Sequence, residues 1–353
     1  MDKVLFFDID LDKLNGTLDS WGEPNFRAKQ VWQGIYKQLK ATPEEIQNIP
    51  KPLRTKLLEE FSFSYLKPEI TLSSKDGETT KTLFRLPDNQ SIETVLMSYT
   101  RRQTLCISTQ SGCAMGCVFC ATGQMGFRRN LSSGEIIEQV LFFARQIMVE
   151  GTSVTNVVLM GMGEPFHNYD STMEAIDRLN HPDGLNLSAR RFTISTVGLV
   201  PMIKRFTKEK RQINLAVSLH AIDDDLRSTM IPLNKKYPVE QLLNCCRDYV
   251  KTTRRRITFE WALINDVNDS IEQANKLGRR LRLFILDGAP LCHVNVIPLN
   301  PTQGYGGKAT TRERAIAFKS ELERLSIPCS IRIRRGIDIK AGCGQLADFV
   351  ENK

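Results

Sequence analysis

The sequence lacks any run of about 18 apolar residues, so no transmembrane helix is expected. Its first residues, MDKVLFFDIDLDKL, carry acids and lack the basic start and small-residue cleavage site of a signal peptide, which predicts a cytoplasmic protein. Only four histidines occur in 353 residues, none with metal-ligand spacing, and there is no internal repeat or low-complexity tract. What is present, 41% hydrophobic and 25% charged residues, is typical of a globular protein.

Positive charge is in moderate excess, with 48 Lys and Arg against 40 Asp and Glu. A single charge run is usually a solvated face, but repeated basic clusters favour a phosphate-binding face, which needs repeated neutralisation. The clusters are Arg101-Arg102, Arg128-Arg129, Arg190-Arg191, Arg254 to Arg256, Arg279-Arg280, and Arg332 with Arg334 and Arg335. We expect those at 128–130, 190–191 and 332–335 to surround one site that binds nucleic acid.

The order of predicted elements indicates an α/β fold with a small helical attachment. Residues 1–65 are predicted to form a helical accessory domain that is a candidate for binding RNA, and residues 66–98 have the alternation and turns of a β-meander that extends the core. Residues 99–336 alternate short β-rich runs with helical stretches, which predicts parallel strands with right-handed crossovers. Six such units and a last short strand are too few for a closed eight-stranded barrel. We therefore expect an incomplete (β/α)6 barrel, open on one side, followed by a C-terminal segment at 337–353.

Nine cysteines, an odd number in a chain without a secretion signal, argue against a disulfide framework. Four of them lie in apolar or strand-like surroundings and are interpreted as packing residues. These are Cys245, Cys246, Cys292 and Cys329. Cys113, Cys117 and Cys120 form a C-x3-C-x2-C run after the first predicted barrel strand, and this run needs a chemical explanation.

Three thiolates suit a 4Fe–4S cluster, which takes one cysteine per iron and here would keep one iron open for a further ligand. The alternative is a zinc knuckle with Cys106 as the fourth ligand, although C-x6-C-x3-C-x2-C is not a usual zinc spacing. The loops GMGEP, STVG, SLHA and IPLNP follow later strands. The carboxyl ends of strands form the active face of barrel-like α/β folds, so these loops would surround the cysteines and favour the cluster.

Several longer stretches resemble one known family. TLCISTQSGCAMGCVFCATGQMGFRRNLSSGEIIEQV, LMGMGEP, STVGLVP, AVSLHA, IPLNKKYP, VNVIPLNP and GIDIKAGCGQLA are similar to the RlmN/Cfr family of radical S-adenosylmethionine (SAM) RNA methyltransferases, and closest to its RlmN branch. The resemblance covers about residues 90–350, and the N-terminal helices also fit it. It implies a radical SAM barrel with a 4Fe–4S cluster on Cys113, Cys117 and Cys120. SAM would chelate the open iron, and one electron would cleave it to a 5′-deoxyadenosyl radical.

The resemblance also implies roles for residues outside the cluster. Cys343 in AGCGQL would be methylated on sulfur by a first SAM. The radical made from a second SAM would remove a hydrogen atom from this methyl group, and the resulting methylene radical would add to adenine. Cys106 would then release the base by forming a transient disulfide with Cys343, and Glu93 in SIETVLM would accept the C2 proton. A simple packing cysteine and a solvent-facing strand glutamate remain the alternatives for Cys106 and Glu93.

The remaining implied site residues bind SAM. They are Gly163, Glu164, Ser195, Ser218, Leu219, His220 and Asn300. Taken alone, the histidine at 220 would more often be a core residue than a ligand. The implied partners are 23S rRNA, tRNA and a one-electron donor such as flavodoxin or ferredoxin, and we expect a monomer.

The implied function is methylation of C2 of an adenosine in 23S rRNA and of the adenosine 3′ to the anticodon in tRNAs. Direct transfer of a methyl cation to C2 is unfavourable because that carbon is electrophilic, which explains the need for radical chemistry. Two alternatives stay open from the sequence. One is Cfr-type methylation at C8 with the same cysteines, and the other is a zinc-stabilised RNA-binding protein without catalysis.

Overall fold

The computed structural model describes residues 3–347, of which the first part is mainly helical. Its elements are β1 (Val4–Leu5), α1 (Leu11–Ser20), α2 (Phe26–Trp32), α3 (Lys51–Glu60) and β2 (Phe61–Ser62). The Asp10 side chain accepts a hydrogen bond from the Lys13 N–H, which caps the start of α1. β1 pairs in parallel with β2, so the two ends of this helical part lie side by side.

The middle of the chain begins with a β-meander and the loop that carries the clustered cysteines. Its strands are β3 (Lys67–Ser73), β4 (Thr79–Arg85), β5 (Ser91–Tyr99), β6 (Arg102–Cys106), β7 (Gln110–Gly112), β8 (Phe127–Asn130) and β9 (Asn156–Leu159). Its helices are α4 (Ala121–Gln124), α5 (Ser133–Val149) and α6 (Tyr169–Asn180). A capping box between Ser132 and Glu135 begins α5, which starts directly after β8.

The rest of the described chain alternates strands and helices. The strands are β10 (Phe192–Thr196), β11 (Asn214–Ser218), β12 (Ile257–Leu263), β13 (Ile285–Leu286), β14 (Ala289–Pro290), β15 (Cys292–Pro298) and β16 (Cys329–Ile331). The helices are α7 (Val200–Glu209), α8 (Asp224–Met230), α9 (Val239–Thr253), α10 (Ile271–Leu281) and α11 (Arg312–Arg324).

Within residues 3–347, the main sheet has ten strands in the order β16-β15-β12-β11-β10-β9-β6-β5-β4-β3. Neighbouring strands from β16 to β6 pair in parallel, whereas β6, β5, β4 and β3 pair antiparallel. β16 and β3 are the two edges, so the barrel is open. The predicted fold class, six βα units with a last short strand and a meander, is confirmed. The residue limits of the four predicted segments stay a prediction, and residues 348–353 of the last one lie outside the described part.

The helical accessory part is joined to the barrel by buried polar contacts. Glu138 of α5 accepts hydrogen bonds from the backbone N–H groups of Tyr65 and Leu66, at 2.9 and 3.2 Å. The guanidinium of Arg178 in α6 donates to the carbonyl oxygen of Phe7. Both contacts satisfy buried backbone groups, which fixes this part against α5 and α6. No helix within residues 3–347 has the length and apolar character needed to cross a membrane.

Candidate active site

The loop with the C-x3-C-x2-C run connects β7 to β8, which pair with each other as antiparallel strands. Gly112, at its start, has a φ of +71°, and a Cβ there would lie 1.9 Å from the carbonyl oxygen of Gly126. Only glycine allows this close approach of the two ends of the loop. The Cys113 N–H donates to the same oxygen at 3.0 Å. The loop is therefore closed at its base, and it begins at the first cysteine.

The three thiols of this loop lie close together. Burial raises the pKa of the Cys113 thiol to about 12 and raises the pKa values of Cys117 and Cys120, and neighbouring thiols raise each of them further. Within residues 3–347, no three His, Cys, Asp or Glu side chains are grouped as ligands of a single ion. A 4Fe–4S cluster needs no such grouping, because each thiolate binds a different iron. The donor set fits a cluster.

A cavity lies beside the cluster loop, at the carboxyl ends of β9, β10, β11, β12 and β15. Cys117 and Cys120 form one side of it. Six of the seven predicted SAM-binding residues line it, namely Gly163, Glu164, Ser195, Ser218, His220 and Asn300. The seventh, Leu219, is buried in the core, and its N–H donates to the carbonyl oxygen of Glu260. Leu219 does not line the cavity; its buried side chain and its backbone N–H help to hold the loop after β11 in place.

Glu164 is held at the wall of this cavity by backbone groups. Its two carboxylate oxygens accept hydrogen bonds from the N–H groups of Phe166 and Val197, at 3.0 and 2.9 Å. Burial raises the pKa of its carboxyl to about 7 although these hydrogen bonds favour the ionised form. A cationic ligand in the cavity would therefore stabilise the carboxylate, and the ammonium group of SAM is such a ligand.

His220 is a neutral histidine in an unusual backbone conformation. Its φ is +59°, and its Nδ1 accepts a hydrogen bond from the Ala262 N–H at 2.8 Å. Burial, with a smaller effect of Arg227, lowers the pKa of the imidazole to about 3. Since Nδ1 is the acceptor, the proton lies on Nε2. His220 is therefore a buried histidine whose Nδ1 has a hydrogen-bond partner, as expected for a core residue, and it also lines the cavity.

Cys343 reaches the cavity on a short segment, residues 340–347, which we call the Cys343 segment. Its middle is held by backbone contacts on two sides. The Gly344 carbonyl accepts from the Ala121 N–H of the cluster loop at 2.7 Å, and the Cys343 carbonyl accepts from Asn300 Nδ2 at 3.0 Å. Cys343 is thus fixed between the cluster loop and the loop after β15.

A second cavity adjoins the first and brings the two remaining cysteines of interest together. Cys106 and Cys343 both line it, and Arg332 lines both cavities. Burial, followed by the nearby Cys343, raises the pKa of the Cys106 thiol to about 12. The pKa of Arg332 is raised, chiefly by Cys343 and less by Glu260 and Cys106. Two thiols that are 237 residues apart in sequence (343 − 106) therefore share one site beside a cation.

Glu93 is not the solvent-facing strand residue that one alternative expected. Its side chain is 3% exposed and forms an ion pair with Lys81 of β4, whose side chain is 9% exposed, with 2.7 Å between Nζ and Oε1. Its Oε2 accepts a hydrogen bond from the Ala347 N–H at 3.0 Å. Glu93 lines neither of the two cavities.

Two family profiles match the chain, "Radical SAM superfamily" over residues 107–278 and "Ribosomal RNA large subunit methyltransferase N-terminal domain" over residues 5–62. "Probable dual-specificity RNA methyltransferase RlmN" of Chloroflexus aurantiacus is 46% identical over 98% of this chain and 93% of its own. "Dual-specificity RNA methyltransferase RlmN 1" of Myxococcus xanthus is 45% identical over 98% and 95%. The chain belongs to the RlmN family. A solved radical SAM methyltransferase from Sphaerobacter thermophilus matches with a TM-score of 0.93 and 47% identity, covering 97% of this chain and 99% of that one.

Membership of the RlmN family confirms the predicted resemblance and the radical SAM fold. It brings with it the 4Fe–4S cluster and SAM as the cofactors of the radical SAM superfamily. The relatives named above carry RlmN names, which does not favour the Cfr-type alternative. The roles of individual residues stay predictions, and the geometry described above is their support.

Arg227 is a site residue of this RlmN-family chain that the sequence analysis missed. It is 1% exposed, and its guanidinium donates to the carbonyl oxygens of Leu219, Ser218 and Val197 at 2.9, 3.0 and 2.7 Å. These carbonyls belong to the loops after β10 and β11, which form the cavity wall. Nothing in the local sequence distinguishes Arg227 from the many exposed arginines, because its role depends on loops from two other strands.

The basic clusters do not all surround the site, and this corrects the sequence analysis. Arg190 and Arg191 directly precede β10, so they lie at the amino ends of the parallel strands, opposite the cavity. Arg129 pairs with Asp88 and, through two hydrogen bonds of 2.8 Å, with Glu135. The charge of Arg129 is therefore neutralised by carboxylates of the protein itself. Of the two neighbours Arg128 and Arg129, only Arg128 is exposed.

Proposed function

We propose that this RlmN-family protein is a radical SAM enzyme that methylates C2 of an adenosine in 23S rRNA and of the adenosine 3′ to the anticodon in tRNAs. The observation that carries the proposal is the shared cavity of Cys106 and Cys343 next to the cluster loop. A non-catalytic zinc protein needs no thiols beyond its ligands. A reaction that passes through a methylated cysteine and a disulfide needs these two.

Cys113, Cys117 and Cys120 would hold the cluster, and the cavity beside them would hold SAM. Its lining residues would act as predicted, while Leu219 would act only by holding the loop after β11. The lining residues are Gly163, Glu164, Ser195, Ser218, His220 and Asn300. When bound, the cluster and SAM would supply a methyl group for Cys343 and a 5′-deoxyadenosyl radical that removes a hydrogen atom from that methyl group. Asn300 supports this placement because it lines the SAM cavity and donates to the Cys343 carbonyl.

Cys106 and Cys343 divide the remaining chemistry. Because the pKa of the buried Cys106 thiol is raised to about 12, it stays protonated at neutral pH, and a thiol is a poor acceptor for a methyl cation. Cys343, unlike Cys106, also lines the cavity beside the cluster loop, and this position favours Cys343 as the methyl acceptor. For release of the base, the Cys106 thiolate attacks the Cys343 sulfur and forms a disulfide. The electron pair of the broken sulfur–carbon bond stays with the methylene carbon, which takes up a proton and becomes the methyl group of the product. Cys106 must lose its proton for this step, and Arg332 in the same cavity would stabilise the thiolate.

The RNA would enter through an arginine-rich surface at the mouth of the second cavity. Tyr99 lines this cavity, and the guanidinium carbons of Arg102 and Arg335 lie 4.2 and 4.3 Å from its ring centroid. Ile333 and Arg334 also line this cavity, and Ile333 is 77% exposed. Guanidinium planes and apolar side chains of this kind stack on unpaired bases, and the target adenosine must be unstacked to reach the cavity.

Arg102 and Arg334 are expected to bind phosphate groups, because both are exposed and, within residues 3–347, neither is paired with a carboxylate. The Arg102→Gln/Arg334→Gln variant should bind an RNA hairpin substrate more weakly. The slope of log affinity against log salt concentration should fall by about 1 to 2, since each neutralised phosphate contributes about 0.7 to 0.9. Fluorescence anisotropy at several salt concentrations measures this.

The matched control is Arg190→Gln/Arg191→Gln. It removes the same charge from two exposed arginines at the amino ends of the parallel strands, away from the cavity. Its slope should equal that of the unchanged protein. Equal slopes in all three proteins would contradict an RNA path past Tyr99.

Nucleoside mass spectrometry tests the proposed function directly. Anaerobically reconstituted protein is incubated with SAM, a reductant and 23S rRNA fragments or tRNA, and the digested nucleosides are separated by chromatography. We expect 2-methyladenosine in both RNAs. The appearance of 8-methyladenosine would overturn the regiochemistry, and a colourless, zinc-containing protein that modifies neither RNA would overturn the enzyme.

A further inference from the structure

A single buried ion pair joins the two ends of the Cys343 segment. Lys81 of β4 and Glu93 of β5 lie diagonally across antiparallel strands, because the strand register pairs Lys81 with Val95 and Leu83 with Glu93. Lys81 Nζ also donates to the carbonyl oxygen of Lys340 at 3.3 Å, while Glu93 Oε2 accepts from the Ala347 N–H at 3.0 Å. Residues 340 and 347 are thereby held to neighbouring strands of the sheet.

A buried ion pair of this kind needs a reason. The free energy needed to remove two charges from water is often larger than the free energy of their attraction. Apolar residues of similar volume therefore often stabilise a protein as well or better. Here each charged group also satisfies a backbone group of the Cys343 segment, which apolar residues cannot do. The pair is therefore used to hold this segment, three residues before and four residues after Cys343.

We propose that Lys81 and Glu93 are positioning residues that hold Cys343 where its sulfur can accept the methyl group. The inference rests on the proposed function, in which Cys343 is the methyl acceptor. Neither residue lines the two cavities, so the positioning role acts through the backbone of the Cys343 segment. Asn300 and Ala121 hold the middle of the segment, and the ion pair holds its ends.

The test compares Lys81→Met, Glu93→Leu and the double variant Lys81→Met/Glu93→Leu. The first measurement is the rate at which Cys343 gains a methyl group from SAM, followed by mass spectrometry of its peptide, and it needs no RNA. Both single variants should lose roughly 10- to 100-fold in this rate, because a displacement of about 1 Å between reacting groups has an effect of that size. Iron and sulfide content should stay unchanged.

The double variant separates positioning from stability. It leaves no unpaired buried charge, so its thermal unfolding midpoint should lie above those of the two single variants. Its rate of Cys343 methylation should stay low, because the Lys340 carbonyl and the Ala347 N–H still lack their partners from β4 and β5. If a single variant does not fold, the double variant carries the test alone. Amide hydrogen exchange within residues 341–347 should be faster in it than in the unchanged protein.

Lys67→Met, at an exposed lysine of β3, is the matched control and should methylate Cys343 at the normal rate. Normal methylation in Lys81→Met, or recovery of both stability and methylation in the double variant, would overturn the positioning role. If the unchanged protein places no methyl group on Cys343, the proposed function itself fails. This result is distinct, because it is seen without any substitution.

Discussion

The Cys106→Ala protein should react once with RNA and then stop, covalently joined to its substrate. It should still assemble the cluster and still carry a methyl group on Cys343, since Cys106 is not in the cluster loop. Without the second thiol in the shared cavity, the bond between the Cys343 sulfur and the methylene carbon cannot be exchanged for a disulfide. A band that survives denaturing electrophoresis and disappears on ribonuclease digestion would be the stalled complex.

Two further variants calibrate this experiment. Cys343→Ala should form neither the methylated residue nor the complex, with its cluster intact. Cys292→Ala removes another buried strand cysteine that lines neither cavity, and it should turn over normally. Normal turnover of Cys106→Ala, or loss of its cluster, would show that Cys106 is a packing residue or an iron ligand and that the resolving role is wrong.

Replacing Cys117 by Ala is expected to remove the cluster and with it all activity. Cys117 is buried and lies between two other thiols that raise its pKa, and the attraction of iron for thiolates is what offsets this cost in the assembled site. Iron and sulfide per chain, visible absorbance after anaerobic reconstitution, and SAM cleavage should all fall to background. Cys113→Ala and Cys120→Ala should behave in the same way.

Cys246→Ala is the control for this prediction. Cys246 is a fully buried cysteine of α9, its pKa is raised mainly by burial, and it lines neither cavity. Its loss should lower stability by about 1 kcal/mol through a small cavity and leave the iron content unchanged. Full iron content together with normal SAM cleavage in Cys117→Ala would contradict the cluster assignment.

Cys106 and Cys343 are held in different ways. Cys106 ends a central strand with neighbours on both sides, β5 and β9, so its position is set by the sheet. Cys343 lies on a segment without regular secondary structure, held by a few backbone contacts and the buried ion pair. We therefore expect any rearrangement that brings the sulfurs into bonding distance to be a movement of the Cys343 segment toward β6.

Much of this protein could be predicted from the sequence because the relevant patterns are local. The cluster loop is 14 residues long (113–126), and its cysteine spacing together with the glycines at 112 and 126 can be read directly from the sequence. The alternation of strands and helices likewise predicts the open barrel, since parallel strands need crossover connections. The loops GMGEP, STVG, SLHA and IPLNP then come together because the carboxyl ends of parallel strands share one edge of the sheet.

Tertiary structure alone decided which charges are available. Arg128 and Arg129 are neighbours in sequence, but Arg129 is paired with Asp88 and Glu135 and its neighbour is exposed. Arg190 and Arg191 lie at the amino ends of the parallel strands, opposite the cavity. Arg227 is buried and donates hydrogen bonds to the loops after β10 and β11. Likewise, Glu93 forms an ion pair with Lys81 of the neighbouring strand and accepts a hydrogen bond from Ala347, which is 254 residues away in sequence. Contacts of this kind depend on strand register and on chain segments far apart in sequence, and such distances leave no local pattern from which they could be predicted.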